Sequence, residues 1–453
     1  MKTILILLGV CSRVLAVQAP VDYKPTVPHS SHITMMLSDY RYHQIPTEYT
    51  WTTNHYDHVM SGDIQQYRKR APSMKYYSYA LNLTIIRETP GDKPDLAMTY
   101  YRDMQKWYAA NTKYQLEDAF LHDASICPGS RPKTETCRVQ TSWGQHTHWV
   151  VHPGDPGLRA YDADRIQRIT TKVGGTAHSA DGIFFDQHSS GDFNYWKTFS
   201  IREYPVWSRY ENDVVDLLVF ERKSLGKIIL INTSELIGPM EQRMVLAAGG
   251  AHMELLNNPF SNEMRERWSF IDVLLKQGAF VEMVNAYTWN GISRKPGFTP
   301  GSQMTRPMRL KMGELCSYYM VVPIPATNLA VDMVNDGWND NYSWQWLRAI
   351  EADVGTPTGP RAIAYQGLDS LGKQILIWRR EFDKAVVFMH YQKPWDYENY
   401  GDSTAFSLPL PSGETWYPLK GDGTLADPVT SVNIRNVEGV ILFKGSALPP
   451  SPQ

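Results

Sequence analysis

The sequence predicts an α/β protein, a (β/α)8 TIM barrel followed by a small C-terminal antiparallel β domain. Three observations support this: eight short β-rich runs, helical periodicity between several of them, and a change to alternating strands near residue 360. The chain of 453 residues is long enough for such a barrel and a smaller second domain. The predicted units are a signal peptide at 1–19, a barrel domain at 20–355 and a β-sandwich-like domain at 360–447.

The eight runs rich in β-branched and aromatic residues are the predicted barrel strands. Helical periodicity follows the fourth run, at 214–222, and the sixth, at 268–275, where Gly278 is the predicted stop. Strands that alternate with helices favour parallel pairing, because each crossover returns the chain to the same end of the sheet. The predicted strands are 33–38, 58–61, 75–80, 181–186, 227–232, 251–255, 280–285 and 317–322.

A long insertion separates the third predicted strand from the fourth. It contains a predicted helix near 97–108, two cysteines, and the segment HTHWVVHPGDPGLRAYDADRIQRI, which predicts a strand followed by a helix. Cys127 and Cys137 are close enough in sequence to form a disulfide in an oxidising compartment, which leaves Cys316 as a buried thiol. An insertion on the strand-to-helix side of a barrel is expected to shape a binding cleft.

The C-terminal region predicts antiparallel strands from about Gly359 onward. Turn residues separate its β-rich segments and no helical period is present, which favours a sandwich or sheet packed on the barrel. The segment TPTGP at 356–360 is the predicted boundary. The predicted strands lie in KQILIWRREF, KAVVFMHYQ, STAFSLPLP, TSVNIR and GVILF.

The composition excludes some classes of partner. Lys plus Arg total 45 and Asp plus Glu total 47, so no net field favours nucleic acid or an anionic membrane surface. The 14 Trp, 26 Tyr and 14 Phe residues supply rings of the kind that stack on sugars, although ordinary core packing is an equal alternative for them. The predicted partner is a carbohydrate, with no nucleic acid and no membrane, and the oligomeric state stays open.

The first 19 residues predict a secretory signal peptide. They carry a lysine, an apolar run too short to span a bilayer, and small residues near the expected cleavage position. We therefore expect a secreted, extracellular protein. Glycosylation sequons begin at Asn82 and Asn341, and a third, at Asn232, falls on a predicted strand.

The segment DGIFFD at 181–186 predicts a buried strand that ends on a carboxylate. A parallel barrel strand is buried on both faces, as Ile183, Phe184 and Phe185 would be. The carboxyl end of such a strand opens on the mouth of the barrel, where the chemistry of these folds occurs, so Asp186 is a candidate catalytic residue and Asp181 lies at the structural end. The alternative is that Asp186 caps a helix or binds a loop amide.

Cleavage of a glycosidic bond needs a second carboxyl group. Glu254, in GAHMEL, follows the sixth strand, and strands four and six are second neighbours, so their tips can point at one site. One of the two carboxyl groups would attack the anomeric carbon, or activate water if the reaction inverts configuration, and the other would protonate the departing oxygen. Glu254 could instead belong to a surface ion pair. Glu282 on the seventh strand is the reserve candidate, and Glu235 a weaker one.

Polar and aromatic residues near other strand ends are candidate sugar-binding groups. Each is about as easily explained by loop structure or core packing. The candidates for hydrogen bonds to hydroxyl groups are Gln187, His188, Asn232 and Asn285, and the candidates for stacking are Tyr40, Tyr79, Trp149 and Trp289.

The motifs DGIFFDQ, IILIN, GAHMEL and LGKQILIWRREFDKAVVFMHYQ resemble those of the hypothetical glycosyl hydrolase family fifteen. More distantly, the chain is similar to polygalactosaminidase-type and α-galactosidase-like barrels, over roughly residues 30 to 445. In α-galactosidase-like relatives an aspartate ending the fourth strand is the nucleophile and a carboxylate ending the sixth is the acid/base. The resemblance implies these roles for Asp186 and Glu254. The chain departs from the family in HWVVHPGDP, where His152 replaces an aspartate.

Two other functions remain open. His146, His148 and His152 have the even spacing that places side chains on one face of a strand, so they could bind zinc in a metal-dependent hydrolase. A non-catalytic carbohydrate-binding protein could keep the barrel and its aromatic cleft. No glycine-rich phosphate motif follows a strand, so no nucleotide cofactor is predicted, and the preferred two-carboxylate mechanism needs no metal.

Overall fold

The computed structural model of the protein describes most of the chain, and its strands and helices are numbered in chain order. The described residues are 33–38, 46–87, 101–143, 146–171, 179–186, 195–234, 236–254, 264–284, 306–323, 328–332, 347–368, 372, 374–391, 405–436 and 438–447. The predicted signal peptide at 1–19 lies outside them. No helix in these ranges combines the length and the apolarity needed to cross a membrane.

An eight-stranded parallel sheet forms the larger part of the fold, in the order β1-β2-β3-β7-β8-β9-β10-β11. The two outer strands also meet, through a parallel bridge between Met35 and Val331, so the sheet closes into a barrel. The predicted fold class is confirmed. The strands are β1 (Met36–Ser38), β2 (His58–Met60), β3 (Lys75–Ala80), β7 (Gly182–Phe185), β8 (Ile228–Asn232), β9 (Gly249–Met253), β10 (Phe280–Val284) and β11 (Leu329–Asp332).

Helices follow the barrel strands as the periodicity predicts. The periodic segments at 214–222 and 268–275 lie inside α6 and α8, and Gly278, with φ of 80°, follows α8 in the left-handed region that favours glycine. The described helices are α1 (Pro46–His55), α2 (Ile64–Arg70), α3 (Tyr101–Ala110), α4 (Pro156–Thr171), α5 (Tyr195–Thr198), α6 (Trp207–Leu225), α7 (Pro239–Ala248), α8 (Met264–Lys276) and α9 (Arg306–Val321).

The eighth predicted strand, at 317–322, is wrong. Most of that segment is the end of α9, and the eighth barrel strand is the short β11. The outer side of α9 is covered by the C-terminal sheet, where a side chain on Gly439 would clash with Cys316 and where the Tyr319 and Phe382 rings pack 5.4 Å apart. A helix buried on all sides has no polar stripe, so its sequence resembles that of a buried strand.

Alternate residues of each barrel strand face inward and outward, as the pleat requires. The outward residues, such as Ile183 and Ile229, pack against the helices in the main core. The inward residues form a separate apolar cluster that fills the lower barrel. Its members are Met36, Met60, Tyr77, Phe184, Leu230, Phe280 and Ala330.

The insertion between β3 and β7 forms a three-stranded antiparallel sheet of β4 (Thr84–Ile86), β5 (Gln140–Trp143) and β6 (His146–Val150), with β6 in the centre. The predicted helix near 97–108 corresponds to α3, and the predicted strand–helix segment to β6 and α4. The predicted Cys127–Cys137 disulfide is present, and the Cys316 thiol is buried as expected.

The insertion packs on the chain that follows β7. The backbone N–H of Ala124 donates to Ser200 O at 2.7 Å, and that of Arg202 donates to His122 O at 2.8 Å. The buried His122 ring also lies 2.9 Å from Glu203 and 3.3 Å from Glu117. These contacts attach the insertion to the strand-to-helix side of the barrel.

The C-terminal region is antiparallel, as predicted. A five-stranded sheet has the order β12-β13-β14-β18-β16, and β15 pairs with β17. Strands β12 and β16 are additional to the five predicted segments. The bounds are β12 (Ala362–Leu368), β13 (Gln374–Glu381), β14 (Ala385–His390), β15 (Phe406–Pro409), β16 (Trp416–Pro418), β17 (Ser431–Ile434) and β18 (Glu438–Lys444).

A buried polar cluster lies between the barrel wall and α4 and α6. Asn82 Nδ2 donates to both carboxyl oxygens of Glu221, at 3.2 and 3.0 Å, beside an ion pair of 3.1 Å between Asp162 and Arg165. The Asn82 side chain is buried and bonded, so its sequon is not accessible to a glycosylating enzyme in the folded protein. Burial, followed by the charge of Asp162, raises the pKa of Glu221 well above its usual range.

We predict that Glu221→Gln stabilises the protein at neutral pH. A carboxyl group whose folded pKa is raised destabilises the fold as the pH rises from its unfolded value towards its folded value, by up to about 1.4 kcal/mol per pH unit. Glutamine has no proton to lose and can still pair with Asn82. In urea unfolding, the wild type and Glu221→Gln should therefore have similar free energies of unfolding near pH 4, and the variant should have the higher one near pH 8.

The matched control is Asp216→Asn, which changes an exposed carboxyl on the same helix. It should leave the pH dependence of the wild type unchanged. If Glu221→Gln retained that dependence as well, Glu221 would not be the group responsible.

Candidate active site

Asp186 lies at the mouth of the barrel, directly after β7. Its backbone N–H donates to Ala80 O at 3.1 Å, so pairing with β3 extends to the tip of the strand. Phe184 faces the barrel interior, and the alternation of the strand places Asp186 on the same face. The Asp186 carboxylate therefore projects above the apolar filling of the barrel.

Glu254 follows β9 and meets the same site through Asn232, the last residue of β8. Asn232 Nδ2 donates to Asp186 Oδ1 at 2.8 Å and to Glu254 Oε2 at 2.8 Å. The two carboxylate oxygens can therefore be no farther apart than twice that distance. The structure thus brings together Asp186, Glu254 and Asn232, as the sequence predicts.

A backbone contact orients the Asn232 side chain. Its Oδ1 accepts a hydrogen bond of 2.8 Å from the backbone N–H of Ser234, in a turn where Ser234 has φ of 51°. This bond distinguishes the two ends of the amide, since Oδ1 must face the N–H donor and Nδ2 must then face the carboxylates. Asn232 is buried, so its amide is held in this orientation.

Tyr79 also contacts Asp186, in a role that differs from the predicted one. It was predicted to stack on a sugar, but its hydroxyl donates to Asp186 Oδ2 at 2.7 Å while its ring packs 5.5 Å from that of Phe184. Burial, and then the charge and the hydrogen bond of Asp186, raise the pKa of Tyr79 well above its usual range. Tyr79 therefore stays protonated and acts as a hydrogen-bond donor.

His252 is a site residue that the sequence analysis missed. It lies on β9 two residues before Glu254, and its Nδ1 is 2.6 Å from Glu282 Oε2 on β10. Both side chains are fully buried. Glu282, the reserve catalytic candidate, is therefore placed below the mouth as the partner of a histidine. The sequence signal that could have indicated His252 was its position two residues before Glu254, which puts both side chains on the same face of the strand.

The lower end of β7 has a structural role, as predicted. Asp181 pairs with Arg68, lies 3.4 Å from Lys75 Nζ and accepts the backbone N–H of Tyr76 at 2.9 Å. Burial is outweighed by the hydrogen bonds from Tyr76 and Arg68 and by the nearby positive charges, so the pKa of Asp181 is lowered. Asp181 stabilises the bottom of the barrel, one strand length from Asp186.

The other predicted sugar-binding residues fall into two groups. Trp149 is only 1% exposed and packs edge-on against Tyr101, so the prediction that it stacks on a sugar is wrong. It belongs to the core of the insertion. The remaining candidates lie outside the described residues. They are Tyr40, Gln187, His188, Asn285 and Trp289, together with Glu235 and the sequon at Asn341.

The three histidines of the zinc hypothesis have other surroundings. His148 is buried with Nδ1 3.2 Å from Thr84 Oγ1, and His152 Nδ1 lies 3.0 Å from the carbonyl oxygen of Asp118. The side chain of His146 lies outside the described part. Within the described ranges, no group of three or more His, Cys, Asp or Glu side chains is placed to hold a metal ion.

No protein-family model matches the sequence, and no curated protein matches it either. The family resemblance drawn from the motifs therefore stays a prediction. Among solved structures, the chain is similar to an α-amylase from Malbranchea cinnamomea, with 11% identity and a TM-score of 0.43, over 93% of this chain and 98% of that one.

Two other solved structures show a comparable likeness. A trehalose-6-phosphate hydrolase from Bacillus licheniformis has 9% identity and a TM-score of 0.45, over 91% of this chain and 98% of that one. The trehalulose synthase from Pseudomonas mesoacidophila has 9% identity and a TM-score of 0.45, over 93% and 99%. Likenesses this remote carry no argument about activity, so the function is argued from the site itself.

We predict that Asn232→Asp destabilises the protein at neutral pH and much less in acid. The substitution replaces a donor by a third carboxylate between Asp186 and Glu254. It should lower the free energy of unfolding by about 2 kcal/mol or more near pH 7. Protonation of the cluster at low pH removes that repulsion. Chemical unfolding between about pH 4 and pH 8 measures the difference.

Asn232→Ala is the control, since it removes the donor without adding charge. Its loss of stability should depend on pH less steeply than that of Asn232→Asp, because it adds no third charge beside the two carboxyl groups. Equal pH dependence in the two variants would contradict the placement of Asn232 between two carboxylates.

Proposed function

We propose that the protein is a secreted glycoside hydrolase that cleaves O-glycosidic bonds of a poly- or oligosaccharide with Asp186 and Glu254. The observation that carries the proposal is the shared hydrogen bonding of these two carboxylates to one Asn232 amide at the mouth of a closed barrel. Two carboxyl groups that flank a scissile bond are the machinery that glycosidases use. The tips of parallel barrel strands are where such sites occur.

In the first step, Asp186 attacks the anomeric carbon as an ionised carboxylate. The bond from that carbon to the leaving oxygen breaks, and Glu254 gives its proton to that oxygen. A covalent glycosyl ester on Asp186 results. The hydrogen bonds from Tyr79 and Asn232 hold the Asp186 carboxylate in place before attack and fix its direction.

In the second step, Glu254 takes a proton from water as the water oxygen attacks the anomeric carbon. The ester bond breaks, Asp186 returns to its ionised form and Glu254 regains its proton. Asn232 serves both acids and is best described as a positioning residue. Its single nitrogen donates to both carboxyl groups and so holds them close together before the reaction begins.

The spacing favours retention of configuration. Retaining glycosidases hold their carboxyl groups about 5 to 5.5 Å apart, whereas inverting enzymes need about 6.5 to 9.5 Å to admit a water molecule. Two oxygens that each lie 2.8 Å from one nitrogen fit the shorter range. The family resemblance of the sequence motifs implies the same pair of residues and the same type of chemistry.

Secretion is part of the proposal. The sequence pattern of the first 19 residues supports it. The Cys127–Cys137 disulfide also supports it, since such bonds persist in oxidising compartments. The expected partner is a carbohydrate outside the cell.

We predict that Asp186→Asn and Glu254→Gln each lower hydrolysis by about a thousandfold or more, because each removes a group that takes part in bond breaking. The wild type is first tested for release of reducing sugar from algal, plant and microbial polysaccharides. The variants are then compared on the best substrate. Sugar binding, measured by calorimetry, should persist in both variants.

Asp181→Asn is the matched control, since it removes the other carboxylate of the same strand at the opposite end of the barrel. It should lower stability and leave turnover per folded molecule nearly unchanged. Wild-type protein that binds sugars without hydrolysing any would favour the non-catalytic binding protein. Full activity of Asp186→Asn would refute the role of Asp186.

We predict that the product is released with the anomeric configuration of the substrate. Proton NMR of the reaction mixture, recorded before mutarotation, shows which anomer forms first. Formation of the opposite anomer would mean that a water molecule, and not Asp186, attacks the sugar.

A further inference from the structure

His252 and Glu282 form a buried pair beneath the candidate acids. In the register of the sheet, His252 of β9 lies opposite Asn232 of β8 on one side and Glu282 of β10 on the other. The pleat puts His252 on the same inward face as Glu254, two residues further along the strand. The contact of 2.6 Å between Nδ1 and the Glu282 carboxylate joins two side chains with no exposed surface.

We propose that His252 and Glu282 are positioning residues of the active site, with His252 supplying a buried positive charge to the Asp186–Glu254 pair and Glu282 holding that charge in place. This inference rests on the proposed function and deepens it. Neither residue needs to touch the sugar. They act on the ionisation of Asp186 and Glu254, which contact the sugar in the proposed mechanism.

The order of the strands places His252 nearer than Glu282 to the acid after β7. The acids stand at the tips of β7 and β9, and Glu282 lies on β10, on the side of β9 away from β7. The positive member of the pair is therefore nearer to Asp186 than the negative member. The Phe184 ring, packed edge-on at 4.8 Å, restrains the imidazole from the β7 side.

The groups around His252 favour its charged form. Burial lowers the pKa of His252, but the charge and hydrogen bond of Glu282, followed by the charges of Glu254 and Asp186, raise it to about 9. Among the described residues, the titratable groups on the inward face come from six strands: His58 on β2, Tyr77 and Tyr79 on β3, Asp186 after β7, Glu254 after β9, Glu282 on β10 and Asp332 on β11. Burial raises the pKa of both tyrosines, so they stay neutral.

Packing alone does not account for an ion pair at this position. An apolar pair of similar volume would fill the barrel without the desolvation cost that two buried charges carry. In addition, His252 Nε2 has no hydrogen-bond partner among the described residues, so Glu282 is the hydrogen-bonding partner of this ring there. The pair is explained if its charge acts on the acids above it.

The test compares pH profiles of kcat/KM for the wild type and Glu282→Gln on the best substrate of the polysaccharide screen. Glutamine keeps an acceptor for the Nδ1–H and nearly the same volume, but it removes the charge that keeps His252 protonated. The acidic limb of the profile should move to higher pH by about one unit, with KM changed less than about twofold. The control His390→Gln alters a buried histidine of the C-terminal sheet and should leave the profile in place.

A second measurement does not depend on hydrolysis or on the folding of Glu282→Gln. NMR of imidazole-labelled protein follows the titration of His252, whose signal is assigned by its loss in His252→Gln. In the wild type His252 should be protonated at neutral pH, and in Asp186→Asn its midpoint should fall, because one neighbouring negative charge is gone.

The possible outcomes separate the two proposals. A neutral His252 in the wild type, or an unchanged acidic limb in folded Glu282→Gln, would overturn the positioning role and leave the glycosidase proposal standing. A wild type that hydrolyses nothing, with a His252 midpoint that responds to Asp186→Asn, would refute the proposed function and support the electrostatic coupling.

Discussion

The candidate site depends on one shared donor, the Nδ2 group of Asn232. Two carboxyl groups this close repel each other when both are ionised, and the amide between them offsets part of that repulsion by donating to both. The amide can do so because a backbone N–H fixes its other end. The turn after β8 therefore fixes the Asn232 side chain, and the Asn232 amide in turn sets how far apart the acids after β7 and β9 lie.

The barrel supplies the platform for this contact. Apolar and aromatic inward residues fill its lower part, with the His58 ring stacked among them, and buried carboxyl and amide groups lie where the strands approach the mouth. The His252–Glu282 pair lies at that transition, with the apolar Phe184 ring beside it. A charge at this depth is poorly screened by water, so it acts on the acids more strongly than a surface charge would.

The additions to the barrel have separate structural roles. The insertion, which contains the disulfide, packs on residues 200–203 of the chain that follows β7. The C-terminal sheet instead covers α9, far along the chain from the acids. This covering explains why the end of α9, from Tyr318 to Val321, is buried and aromatic or apolar, and why it resembles a strand in sequence.

The sequence by itself determined the barrel, the alternation of its strands with helices, the C-terminal antiparallel strands, the disulfide and the two acids at strand ends. These follow from local patterns: hydrophobic period, turn residues, and a carboxylate placed directly after an apolar run. Only the tertiary structure decided which side chains meet across strands. Tyr79 bonds Asp186, Glu282 binds His252 and Trp149 is buried in the insertion, because strand register and the packing of distant segments set these contacts.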